Sequence, residues 1–110
     1  MNTSQEPQGS NAALVRDAAA GDESAWSGLV ERFSAPVWAV AFTHGLGAAE
    51  AAGAARVTWL RLAQHLSRIS EPERVGAWLA ETARQESLRA LALSRLEATE
   101  PGAPLPRTIG

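Results

Sequence analysis

The sequence predicts an all-α fold, a small bundle of about four helices. Three observations predict it. Apolar residues recur at steps of three and four along most of the chain. Turn and capping signals such as Gly21, Asp22 and "HGLG" fall between those runs. No segment alternates apolar and polar residues as a half-buried strand does.

Residues 1–10, "MNTSQEPQGS", hold almost nothing apolar and read as a disordered arm. Asn11 then precedes "AALVRDAAA" and is the expected N-cap of a short first helix anchored by Leu14 and Val15. Gly21 ends it and Asp22 caps the next. The second helix spans about Glu23 to Thr43. Its buried stripe is Trp26, Leu29, Val30, Phe33, Val37, Val40 and Ala41. Pro36 lacks a backbone donor and predicts a kink or short break near residues 33–35. Trp38 and Phe42 lie off the stripe and should meet a different neighbour. "HGLG" reads as a turn.

The third helix covers about Ala48 to Ser67, with Ala48, Ala52, Ala55, Trp59, Leu62, Leu66 and Ile69 as its core seam. Ser70 followed by Glu73, with Pro72 between them, has the form of a capping box. It opens a fourth helix from about Glu71 to Leu96. Val75, Trp78, Leu79, Thr82 and Ala83 form its first apolar face; Leu88, Leu91 and Leu96 continue it less regularly. Residues 98–110, rich in proline and glycine, read as a flexible tail, leaving one helical domain at 11–97.

The chain has 110 residues, 45% of them hydrophobic, which supports one modest core. It has no cysteine, excluding a disulfide framework, a cysteine zinc site and a thiol nucleophile, and fitting a reducing cytoplasm. No apolar run approaches the roughly 20 residues of a membrane span, and the polar N-terminus is not expected to act as a secretory signal. The net charge of −2 argues against strong non-specific binding of nucleic acid. All ten positive side chains are arginine, which with the abundant alanine fits a GC-rich coding sequence. His44 and His65, with scattered Asp and Glu, offer no metal-ligand spacing or catalytic triad, and "GLGAAEAAG" follows no strand. No enzyme activity, metal or cofactor is expected.

One feature asks for a partner. At about 100° per residue, Gly53, Val57, Leu60, Arg61, Gln64 and Arg68 fall opposite the seam of the third helix and should be solvent-exposed. Aliphatic residues beside arginine suit a partner-binding surface, although single exposed apolar residues are ordinary.

The ordered series "GDESAW", "LVERF", "TWLRL", "HLSRI", "PERVGAWL" and "TARQESLR" resembles the second conserved region of bacterial RNA polymerase sigma factors of the extracytoplasmic-function (ECF) type. The resemblance covers about Leu14 to Arg89. It implies a helical domain that docks on a coiled coil of core RNA polymerase and melts and reads the promoter −10 element as single-stranded DNA. By the same resemblance, Gly53, Arg56, Val57, Leu60, Arg61, Gln64 and Arg68 form the polymerase-docking face. Ser67, Arg68 and Ser70 lie in or beside the reading loop. Arg84 and Gln85 stand where relatives place a basic residue and a polar base contact, and Arg89 and Arg95 add phosphate contacts. The plainer reading of these arginines is a solvated surface paired with glutamate, as Glu81–Arg84 and Glu86–Arg89 at i,i+3 allow.

The chain also departs from the pattern. Relatives carry Asp and Gln at the positions of Gly53 and Arg56, and several basic residues where this chain reads "ALALSRLE". The helix-turn-helix that reads the −35 element is not encoded in these 110 residues, so a domain fragment or a stand-alone protein is expected. The second function class is therefore an interaction module of the same fold that does not read promoters. It would occupy the polymerase site, or bind an anti-sigma factor or a partner sigma protein.

Overall fold

The computed structural model describes residues 10–99. Four α-helices follow in order: α1 (Asn11–Ala19), α2 (Glu23–Thr43), α3 (Ala48–His65) and α4 (Val75–Thr99). Two short 3₁₀ turns, Leu66–Arg68 and Pro72–Arg74, lie between α3 and α4. Among the described residues there is no strand, as expected. The predicted arm and tail, residues 1–9 and 100–110, lie outside the described residues.

Helix ends follow local chemistry with two corrections. Asp22 Oδ1 accepts from the Ser24 and Ala25 N–H groups, capping α2. Gly21 and Gly45 adopt φ of 101° and 76°, which a side chain would strain, so each turn is built on a glycine. The first correction is at α1. Ser10, not Asn11, is the N-cap; its hydroxyl accepts from the Ala13 N–H at 3.0 Å. Asn11 is the first helical residue and points its amide at the rest of the fold. The second is at α4. The Ser70–Glu73 capping box does not form, and Pro72–Arg74 is a 3₁₀ turn with no side-chain cap. The Glu73 carboxylate instead accepts from Ala12 of α1, a partner that sequence proximity does not reveal.

α2 runs unbroken through Pro36, which is exposed. A proline on the solvent side leaves water to take up the lost hydrogen bond, so the expected break is not needed.

The main core joins Leu14 and Val15 of α1, Ala25, Leu29 and Val37 of α2, Ala55 and Leu62 of α3, and Val75, Leu79 and Ala83 of α4. Trp26, Trp59 and Trp78, expected on buried faces, are half-buried against it. Trp26 and Trp59 meet edge-to-face at 5.9 Å. A smaller cluster of Ala41, Leu46, Ala51 and Ala54 closes the other end, and Trp38 packs against both clusters while stacking on Phe42.

The start of the α3 seam is shifted from expectation. Ala51, Ala54 and Thr58 are buried, whereas Ala48 is exposed and Ala52 half-buried. On α4, Ser87 and Glu86 are buried, and Leu88 and Leu96 are exposed. Small residues let α3 and α4 approach closely. The buried Thr58 and Ser87 hydroxyls donate to the carbonyls of Ala54 and Ala83, one turn back, so neither is left unsatisfied.

Two glycines in helices give opposite expectations. A Cβ at Gly53 meets nothing within 4 Å, so Gly53→Ala should stabilise the fold by about 0.5–1 kcal/mol. A Cβ at Gly76 lies 2.7 Å from Phe33 Cε1. Gly76→Ala must displace that ring and should destabilise by about 1–3 kcal/mol. Urea denaturation followed by tryptophan fluorescence measures both.

Candidate functional site

The close approach of α3 and α4 leaves a furrow along their seam, and the candidate residues gather there unevenly. At one end, the loop of residues 66–74 and the start of α4 enclose a cleft of about 460 Å³. His65, Arg68, Ser70, Arg74, Trp78 and Glu81 contribute to its walls. Its volume lies in the range of small-ligand pockets, about 300–1,000 Å³. His65 Nδ1 lies 2.8 Å from the Arg61 carbonyl, and its ring is 5.8 Å from that of Trp78. Arg68 donates to the Gln64 carbonyl at 3.0 Å.

Midway, Arg61, Gln85, Glu86 and Arg89 border a second depression of about 360 Å³ that shares His65, Trp78 and Glu81 with the first. Glu86 is the electrostatic centre here. Its carboxylate is 7% exposed and accepts from Arg61 Nε at 2.5 Å, with Arg89 Nε at 3.7 Å. A buried carboxylate needs such partners, because an unpaired charge is costly to desolvate. Arg61 is thereby drawn toward α4 instead of standing free on the outer face.

A turn earlier on α4, Glu81 holds two further candidates. Arg84 Nε and Nη2 donate to its two oxygens at 3.1 and 2.5 Å, and Gln85 Nε2 donates to Oε2 at 3.2 Å. The hydrogen bond from Arg84 lowers the Glu81 pKa below the usual carboxylate value; desolvation opposes it, and the Arg84 charge and the Gln85 bond add to the lowering. Glu81 in turn raises the Arg84 pKa, first through that hydrogen bond.

At the far end, Gly53, Arg56 and Val57 of α3 face Ala90, Leu93 and Ser94 of α4 across a groove of about 380 Å³. The face opposite the α3 seam is therefore only partly open. Leu60, Gln64 and Arg68 are exposed, with Leu60 at 54%, while Gly53, Val57 and Arg61 are half-buried. Full exposure was expected of all six residues of that face; α4 passing alongside accounts for the difference.

The loop cleft thus brings Arg68 and Ser70 together, and the neighbouring surface of α4 carries Arg84, Gln85 and Arg89. Ser67 is exposed in its 3₁₀ turn but borders none of these clefts. Arg95 stands eleven residues beyond Arg84, about 16 Å along the helix, and borders none of them either. Sequence reasoning missed Arg74, Trp78 and His65 as cleft walls, and missed Glu86 as a buried anchor. Glu86 had a signal: it follows Val75, Leu79, Thr82 and Ala83 on the same stripe of α4.

Among the described residues no helix is long and apolar enough to cross a membrane. Comparison with protein families matches residues 29–95 to Sigma-70 region 2, a span that holds the α3–α4 furrow and the loop. Comparisons with curated proteins and with solved structures gave no match. At family level, such domains bind core RNA polymerase and recognise the promoter −10 element. With the match covering more than half of the chain, this protein belongs to the Sigma-70 region 2 family.

Proposed function

We propose that this is a transcription initiation domain of the ECF type, acting in the cytoplasm. It docks on core RNA polymerase through the exposed face of α3, centred on Leu60. It takes a base of the melted −10 strand at the cleft formed by the 66–74 loop and α4. The single observation that carries the reading is the cleft itself. It lies beside the arginines of α4, at the loop where the family resemblance expects the strand to be read. Arg68 and Ser70 offer polar contacts inside it, Trp78 an aromatic wall, and Arg84 and Arg89 charges for the phosphates.

Titration with random-sequence single-stranded DNA tests this, read by tryptophan fluorescence across a salt series. Binding should weaken with salt, and an Arg84→Ala, Arg89→Ala double variant should flatten the slope by about 1.4, two phosphate contacts at roughly 0.7 each. Absence of binding even at low salt contradicts the reading.

A second reading is favoured by one observation: glutamates already hold the cations. Glu81 binds Arg84 and Gln85, and Glu86 binds Arg61 and Arg89. With Gly53, Arg56 and a net charge of −2, this favours an interaction module that occupies the polymerase site, or binds an anti-sigma factor or a partner sigma protein, without reading DNA.

The Glu81 clamp separates the two. A carboxyl with a lowered folded-state pKa keeps its stabilising pair above the ordinary carboxylate pKa and loses it only as pH falls through the lowered value. At neutral pH the clamp is closed, and mild acid does not open it. Glu81→Gln should therefore strengthen single-strand binding and steepen its salt dependence by up to about 0.7. An interaction module predicts no DNA binding in either form.

A further inference from the structure

The first turn of α1 reaches across the fold to the loop that walls the cleft. Glu73 Oε2 accepts from the Ala12 N–H at 3.2 Å. The Glu73 carbonyl accepts from Asn11 Nδ2 at 3.1 Å. The other end of the Asn11 amide, Oδ1, accepts from Arg32 Nη1 of α2 at 2.7 Å. Three elements separated in sequence thus meet at one amide and one carboxylate. The carboxylate lies at the positive end of a helix and accepts a charge-assisted bond there.

The placement matters for the cleft. Glu73 sits next to Arg74 and two residues from Glu71, and both of those residues line it. Leu66 and Ile69 anchor the first half of the loop against the main core, but Ser70, Glu71, Glu73 and Arg74 in its second half are exposed, and the first fully buried residue after it is Val75. α1 also packs on both 3₁₀ turns. Yet α1 precedes the 29–95 span matched to the family, so the contact ties a segment outside the match to the loop within it.

We propose that the first turn of α1 is a strut that sets the position of the 66–74 loop. Asn11, Arg32 and Glu73 are then positioning residues for a single strand held in the cleft. This rests on the reading of the cleft as DNA-facing. The sign of one substitution separates positioning from simple electrostatics. Removing the Glu73 carboxylate near an anionic strand would, through charge alone, strengthen binding. Loss of positioning weakens it. Asn11→Ala removes the amide's bonds to Glu73 and Arg32 without changing charge, and leaves the Ala12–Glu73 bond in place.

The test uses the full chain with Asn11→Ala, Glu73→Ala and Glu73→Gln. It combines hydrogen exchange, titration with random-sequence single-stranded DNA, and retention on core RNA polymerase. Asn11→Ala and Glu73→Ala should speed exchange within residues 66–74 by about tenfold, the loss expected for one such hydrogen bond. They should weaken single-strand binding by up to a similar factor and leave polymerase retention unchanged. Glu73→Gln keeps an acceptor oxygen and should restore most of both. Unchanged loop exchange overturns the strut. So does a uniform rise in exchange across the chain, which marks a general loss of stability. Faster loop exchange with undiminished DNA binding overturns the positioning role. A wild type that binds no single strand overturns the reading of the cleft, while the exchange data still decide whether the strut exists.

Discussion

Leu62→Ala should destabilise the protein by about 2–5 kcal/mol, measured by urea denaturation with tryptophan fluorescence. Leu62 is fully buried in the last turn of α3, in the cluster that joins all four helices. Truncation removes the transfer free energy of the lost methyl groups and leaves a cavity that close-packed neighbours fill only in part. Domains of this size have total stabilities of about 5–15 kcal/mol. One substitution therefore removes a large share of the margin. A loss under about 1 kcal/mol would mean that α3 is not held against the core as described.

Leu60→Glu should do the reverse. Leu60 is two residues from Leu62, more than half exposed, and on the other face of the same helix. Its replacement should change stability by less than about 0.5 kcal/mol. Retention on core RNA polymerase should fall by about thirtyfold or more, the effect of removing an apolar anchor at the centre of an interface. Arg61→Glu is a poorer probe of the same face. It would set a second carboxylate against the buried Glu86 and disturb the α3–α4 seam before it reported on docking. Loss of stability in Leu60→Glu, or full retention on polymerase, would remove Leu60 from the docking face.

The contrast between Leu60 and Leu62 marks how far the sequence could be read. Where apolar residues are large and polar ones intervene, spacing alone assigns the faces, as with Leu29, Val37, Leu62 and Leu79. Helix ends were legible where a glycine needs positive φ or an Asp caps, as at Gly21, Asp22 and Gly45. The start of α3 was not. In "AAEAAGAA" the alanines are chemically alike, and tertiary packing decides which are buried. Asn11 and Glu73 were misread as helix caps for a related reason. A capping box is a local pattern, and here distant partners took the groups it would have used: Ala12 bonds the Glu73 carboxylate, and Arg32 bonds Asn11.

The sequence allowed candidate residues to be named but not their arrangement. The face around Leu60 follows from helical spacing, and the loop, Arg84 and Gln85 were named from family resemblance. The two glutamates that organise the charges do not follow from that resemblance. Glu81–Arg84 is a local pair that i,i+3 spacing anticipates. Arg61–Glu86 joins residues 25 apart, which only the folded chain brings together. That pair turns an expected open face into a half-covered furrow.

Docking through α3 is decided by titrating the purified wild-type chain against core RNA polymerase, with Leu60→Glu alongside. The wild type should bind saturably and one-to-one, and the variant should remain folded and lose binding. Absence of wild-type binding, or equal binding by both chains, would contradict docking through α3.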